Sequence, residues 1–142
     1  MKKTLIAYFT RTGITKKLAE DTAKQTGADL FAIEPVKEYS SSYLICVGQA
    51  KLENLQNARP AIKAKPQNLQ DYDTIVVMFP IWWFTCPNII LTFLEENDLS
   101  GKTIIPVCTY GSSGKGSSEK AMTKVCKNAT FKPCIEATGL KD

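Results

Sequence analysis

Apolar positions along the chain fall into two patterns. Residues 5–9 (LIAYF), 75–79 (IVVMF) and 104–108 (IIPVC) are unbroken apolar runs, rich in β-branched or aromatic side chains. Strands covered on both faces of a parallel sheet read this way. Residues 30–33 and 130–135 are weaker strand candidates, expected near the sheet edges. Between these runs the apolar positions recur at helical spacing. Residues 15–26 carry Leu18, Ala19, Thr22 and Ala23, with Gly27 as a C-terminal stop. Residues 43–57 carry Leu44, Val47, Ala50 and Leu55 in rough helical register. Residues 87–96 open with Pro87 in the first turn and continue with Ile89, Ile90, Phe93 and Leu94. Residues 117–127 carry Ala121, Met122, Val125 and Cys126. Strands and helices alternate throughout, which predicts an α/β, three-layer, doubly wound five-stranded parallel sheet with right-handed crossovers.

Some stretches break the pattern. Residues 34–42 and 58–71 hold Pro35, Pro60 and Pro66 among polar residues and read as loops. Pro106 lies inside the fourth strand, where it deletes a ladder hydrogen bond. The Gly/Ser-rich residues 111–118 join a strand to a helix, a position where a functional loop is expected. The 142 residues form a single domain, 1–142, with no internal repeat. Only residues 138–142 follow the fifth strand, so no further covering helix is expected there. One face of that region is then left exposed or covered by a partner chain.

Composition removes several function classes. The chain has no histidine, which excludes Ser-His and Cys-His nucleophile pairs and His-ligated metals. Its five cysteines form no C-x-x-C pair and match no zinc spacing, which fits reduced thiols and a cytoplasmic protein. The formal charge of +4 comes from scattered Lys and Arg. It predicts no nucleic-acid binding and at most a weak preference for acidic partners. The first nine residues look slightly like a secretory leader, but the apolar stretch is short and runs straight into Thr10 and Arg11. A buried strand is the better reading. No run approaches the length of a membrane span, so no membrane association is expected.

Open parallel sheets bind ligands where the carboxyl ends of the strands meet. Three loops converge there. The first, Thr10, Arg11, Thr12, Gly13, Ile14 and Thr15, has three hydroxyls and a turn glycine ahead of a helix. Backbone N–H groups at such a helix start suit a phosphate monoester. A plain helix cap would look similar. Neither the G-x4-G-K-[ST] nor the G-x-G-x-x-G spacing is present. The second loop is Pro80, Ile81, Trp82, Trp83, Phe84, Thr85, Cys86 and Pro87. Its adjacent tryptophans point to opposite sides of the chain, one into the core and one toward the crevice. The exposed indole could stack on a flat heteroaromatic ligand. The third loop holds Thr109, Tyr110, Gly111 and Gly114, so Tyr110 could cover the opposite face of that ring. No loop carries a carboxylate pair for acid–base hydrolysis. Cys86 and Cys108 lie near the same mouth, with no histidine to activate either thiol.

These residues resemble the flavodoxin family. The similarity runs through LIAYFTRTGITKKLAE at 5–20, NARPAIK at 57–63, DYD at 71–73, FPIWWFTCPN at 79–88, FLEENDLSGKT at 93–103 and CTYGSSG at 108–114. It covers nearly the whole chain and looks like the short bacterial branch. The resemblance implies strand order 2-1-3-4-5, with the family's last helix missing, and a bound FMN. It implies a phosphate on Thr10, Arg11, Thr12, Gly13, Ile14 and Thr15. It also implies ring contacts from Pro80, Ile81, Trp82, Trp83, Phe84, Thr109, Tyr110, Gly111 and Gly114. The implied activity is electron transport with a redox partner protein; the alternative is an NAD(P)H-dependent FMN or quinone oxidoreductase. The chain departs from the family where Asn is usual at Ile14, Gly at Phe84, His at Tyr110 and Gly at Ser112. Those departures motivate a third reading, a non-redox interaction domain with weakened flavin binding.

Overall fold

In the protein's structure, a computed structural model that describes residues 3–110 and 114–138, the unbroken apolar runs are the central strands. β1 (Lys3–Tyr8), β3 (Tyr72–Pro80) and β4 (Thr103–Tyr110) pair in parallel, with β2 (Asp29–Ala32) outside β1. The helices are α1 (Ile14–Thr26), α2 (Tyr43–Gln56), α3 (Asn88–Glu96) and α4 (Ser118–Val125). The central strands lack polar alternation because both faces are covered. Leu5, Ala7, Ile75, Val77, Phe79, Ile104 and Cys108 pack with α3 and with Met122 of α4. Ile6, Tyr8, Met78 and Val107 face the other way, against Ala19 of α1. Among the described residues α1 alone covers that second face, and Val76 and Ile105 there stay partly exposed.

The sheet follows the order β2-β1-β3-β4-β5, as expected, with one difference at its edge. The single fifth strand expected over residues 130–135 is two short segments. β5 (Thr130–Phe131) pairs with Thr103 and Ile104, and β6 (Ile135–Thr138) pairs with Val107 to Tyr110. Two prolines mark the break, Pro133 within it and Pro106 opposite it on β4. The carbonyl of Ile104 accepts from the Lys132 N–H at 2.9 Å, so the even-numbered residues of β4 point their backbone groups toward this edge. The donor that Pro106 lacks would have pointed there too, and the chain bulges by one residue opposite it. The ladder bond deleted by Pro106 therefore costs the β3 pairing nothing.

Both proline-containing stretches are irregular, as their composition predicts. They are tied to each other: Val36 N–H donates to Ala61 O at 2.9 Å and Lys63 N–H to Glu34 O at 2.8 Å. A short 3-10 turn at Leu69–Asp71 leads into β3. In α2 the inward residues are Cys46 and Ala50, while Leu44 and Leu55, read above as part of an apolar face, are 79% and 72% exposed.

Candidate functional site

Three loops meet at the carboxyl edge of β1, β3 and β4, and hydrogen bonds join them. Gly13, at φ +102°, occupies a conformation that suits glycine and forms the N-cap of α1. Its N–H donates to the Thr10 hydroxyl at 2.9 Å, which folds the loop back on itself. A Cβ at Gly13 would meet no atom within 4 Å, so the space beside the turn is open. Gly13 has no side chain to cap the first turn of α1, and that turn holds no acidic residue. The positive end of the helix therefore faces the crevice uncompensated by a carboxylate. Thr15 is fully buried and shares a 2.9 Å hydrogen bond with Thr109 at the end of β4. This bond fixes the first loop against the third.

The second loop is a tight hairpin. Trp82 and Thr85 exchange backbone hydrogen bonds of 2.9 and 3.3 Å around Trp83 and Phe84. Both central residues have positive φ, 54° and 63°, the geometry of a type I′ turn usually filled by Asn and Gly. Phe84 thus holds a left-handed conformation that suits glycine, with a side chain that is 67% exposed. Two aromatic residues held there represent stored backbone strain. The tryptophans part as their adjacency predicts. Trp82 packs edge-on against Phe9 and Tyr39, with ring centroids 5.3 and 5.0 Å away. Trp83 lies at the surface, where its indole N–H donates to Val47 O at 2.9 Å and Lys51 sits 4.8 Å over the ring.

The third loop closes onto the second. Ser117 N–H donates to Phe84 O at 2.9 Å, and a Cβ on Gly116 would lie 1.7 Å from that oxygen. Only glycine permits so close a backbone approach. Glu136 of β6 accepts from the Lys115 N–H at 2.8 Å and steadies the same loop.

Beside these loops lies a cavity of about 310 Å³ lined by Arg11, Tyr43, Cys46, Val47, Ala50, Ile81, Trp82, Trp83 and Phe84. One wall is α2, which the sequence offered only as a helix. Val47 and Ala50 have the spacing of ordinary core positions, and nothing local distinguishes a residue facing a cavity from one facing a core. Thr109, Tyr110 and Gly114 do not line it; Tyr110 packs against the core and Thr109 is buried under Thr15. Pro80 is buried at the end of β3, and Ile14 is half-buried at the start of α1. Gly111 lies outside the described residues. Arg11 leaves the turn and stacks 5.7 Å over the Tyr43 ring, so it lines the cavity and a second, larger one.

No carboxylate lines the first cavity, and its thiol is not activated. Burial pushes the Cys46 thiol up despite the nearby Arg11. Burial also pushes Cys86 up to about 12. Neither is poised as a nucleophile. All five cysteines are free thiols, and no cluster of metal ligands occurs among the described residues. Nor is any described helix long and apolar enough to cross a membrane.

A family model described as flavodoxin matches residues 3–139. The chain belongs to the flavodoxin family. Solved structures agree. A protein from Bacteroides eggerthii taken to be a flavoprotein is 35% identical, with 96% of this chain and 88% of that one covered and a TM-score of 0.87. A counterpart from Bacteroides uniformis is 34% identical over 98% and 92% of the two chains, with a TM-score of 0.88. The flavoprotein of Lactobacillus acidophilus, solved in complex with FMN, is 18% identical over 96% and 93%, with a TM-score of 0.85, and shares the fold. A comparison with curated proteins finds no match.

Proposed function

We propose that this flavodoxin binds FMN and works as a cytoplasmic electron-transfer protein. One observation carries the reading: the open turn at Gly13 adjoins, through Arg11, an aromatic cavity of about 310 Å³ with no carboxylate in its lining. That volume is at the small end of the roughly 300–1,000 Å³ usual for small-molecule sites. The residues fit the group. The Gly13 turn and the start of α1 would hold the phosphate, as helix starts hold anions. Trp82, Trp83 and Ile81 would hold the ring and exclude water from it. Bound FMN supplies the redox chemistry, and the protein supplies orientation and electrostatics. Arg11, the one charged residue in the lining, favours added negative charge on the ring. The +4 net charge favours an acidic redox partner. Five free thiols fit the reducing cytoplasm.

Titration of the purified protein with FMN tests this. Flavin fluorescence should quench and the absorption bands should shift at micromolar protein. Unchanged spectra would overturn the reading.

A second reading, an NAD(P)H-dependent FMN or quinone oxidoreductase, has one observation in its favour. A cavity of about 420 Å³ on the other side of Arg11 is lined by Lys16, Lys63, Glu34, Glu38 and Tyr39. Its cations could receive a nucleotide phosphate. Steady-state oxidation of NADPH with a quinone acceptor separates the two, and absence of turnover leaves the carrier.

A further inference from the structure

Tyr39 does not line the cavity proposed for the ring, yet its surroundings are specific. Its ring meets Trp82 edge-on at 5.0 Å, and Trp82 is a wall of the cavity. Its hydroxyl donates to Glu53 Oε1 at 2.6 Å, a short bond to a half-buried side chain of α2. Phe9 touches both rings, at 5.3 Å from Trp82 and 5.9 Å from Tyr39, and closes the cluster on the core side. An oxidisable indole at the cavity, a phenol in contact with it and a carboxylate on that phenol thus follow one another by direct contact. The proton acceptor is already within hydrogen-bond reach, the geometry a proton transfer requires.

We propose that Trp82, Tyr39 and Glu53 form a relay that carries an oxidising equivalent out of the cavity and stores it on Tyr39. The electron count is simple. Trp82 gives one electron to a one-electron oxidant in the cavity, and Tyr39 gives one electron to the oxidised indole. The phenol proton moves at the same step from Tyr39 Oη to Glu53 Oε1. The net result is one reduced oxidant, one neutral tyrosyl radical and one protonated Glu53. Loss of an electron turns a phenol into a strong acid, so the waiting carboxylate is what makes tyrosine a sink for the indole. Burial raises Glu53, which makes it a stronger base for the phenol proton, while the hydrogen bond from Tyr39 pulls it back toward the carboxylate; burial and the bond to Glu53 keep Tyr39 protonated before the reaction. The physiological oxidant would be a light-excited flavin ring, and that use rests on the function proposed above. The relay itself does not, because any one-electron oxidant can load it.

The test uses the protein without flavin. Photolysis of tris-bipyridyl ruthenium(II) with persulfate generates the ruthenium(III) oxidant, and transient absorption with freeze-quench electron paramagnetic resonance follows the indole and phenoxyl radicals. In the wild type the indole signal should give way to a phenoxyl signal. Tyr39→Phe, nearly isosteric, should leave the indole radical standing. Glu53→Gln keeps a hydrogen-bond acceptor but is a poor base, and should slow the conversion by roughly 100-fold, the scale of a lost general base. A rate that falls in deuterated solvent should become insensitive in that variant. Tyr72, which donates to the exposed Asp29 at 2.7 Å without a tryptophan contact, is the control, and Tyr72→Phe should change nothing. An unchanged phenoxyl yield in Tyr39→Phe, or an unchanged rate in Glu53→Gln, would overturn the relay. Failure of FMN to bind would overturn only the flavin as its oxidant.

Discussion

The hydroxyls of Thr15 and Thr109 meet at 2.9 Å across 94 positions of sequence, and both residues are buried. This pair joins the first turn of α1 to the end of β4, so the anion-binding turn and the third loop are set relative to each other by one bond. Thr109→Val should destabilise the protein by about 1 kcal/mol, since it removes one buried hydrogen bond. Thr15→Val/Thr109→Val should cost less than the sum of the single changes, with a coupling of roughly 0.5–3 kcal/mol in urea denaturation.

Gly13 should tolerate no side chain. The space beside it is open, but its φ of +102° is strained for any L-residue. Gly13→Ala should lower stability by about 1–3 kcal/mol and weaken FMN binding together with it. Denaturation and fluorescence titration read the two effects separately.

The position of the ring is testable by filling the cavity. Val47→Trp would crowd the space between α2 and the second loop. It should weaken FMN binding at least about tenfold, or ~1.4 kcal/mol. Tyr110→Leu keeps an apolar side chain outside the cavity and should change affinity by less than about twofold. The reverse order would return the ring to the slot between the second and third loops.

Strain in the second loop has its own signature. At an ordinary exposed position Ala is favoured over Gly by roughly 0.5–1 kcal/mol. At Phe84, with φ +63°, the order should invert, and Phe84→Gly should be more stable than Phe84→Ala by about 1 kcal/mol. If Phe84 also obstructs the ring, Phe84→Gly should bind FMN more tightly; equal affinity would clear Phe84 of that role.

Cys86 predicts a base-side loss of stability. Its thiol ionises near 9.0 when unfolded and at about 12 in the fold, where burial is the main cause. Between those values the unfolded chain holds fewer protons, so stability falls as pH rises from 9 toward 12 and is unaffected below 9. Cys86→Val should flatten this part of the stability profile. Cys86 should also resist alkylation in the folded protein, measured by mass spectrometry after mild iodoacetamide treatment.

Much of the architecture was legible because the local signals were unmixed. The runs at 5–9, 75–79 and 104–108 have no polar alternation, and only central strands bury both faces. Gly27 and Asn57 end their helices in the left-handed conformation that such residues favour. Less legible was the sheet edge, where Pro133 lies between β5 and β6 and Pro106 faces the break from β4. The part of a break imposed across a ladder leaves its cause on the other strand. The inner face of α2 was also hidden, since Leu44 and Leu55 have the spacing of core residues and yet face solvent. Periodicity gives a helix a face; it does not say what that face meets.

The candidate site divides along the same line. Sequence alone determined its ingredients: a turn glycine before a helix, two adjacent tryptophans, glycines after the fourth strand, and no histidine for rival chemistries. Each follows from backbone geometry or side-chain type within a few residues. Tertiary structure decided how they combine. It closed the third loop onto Phe84, moved Arg11 from the turn to Tyr43, set α2 as the cavity wall and brought Glu53 to Tyr39. Those contacts join elements far apart in the chain, and their free energy depends on packing distances that no local pattern encodes.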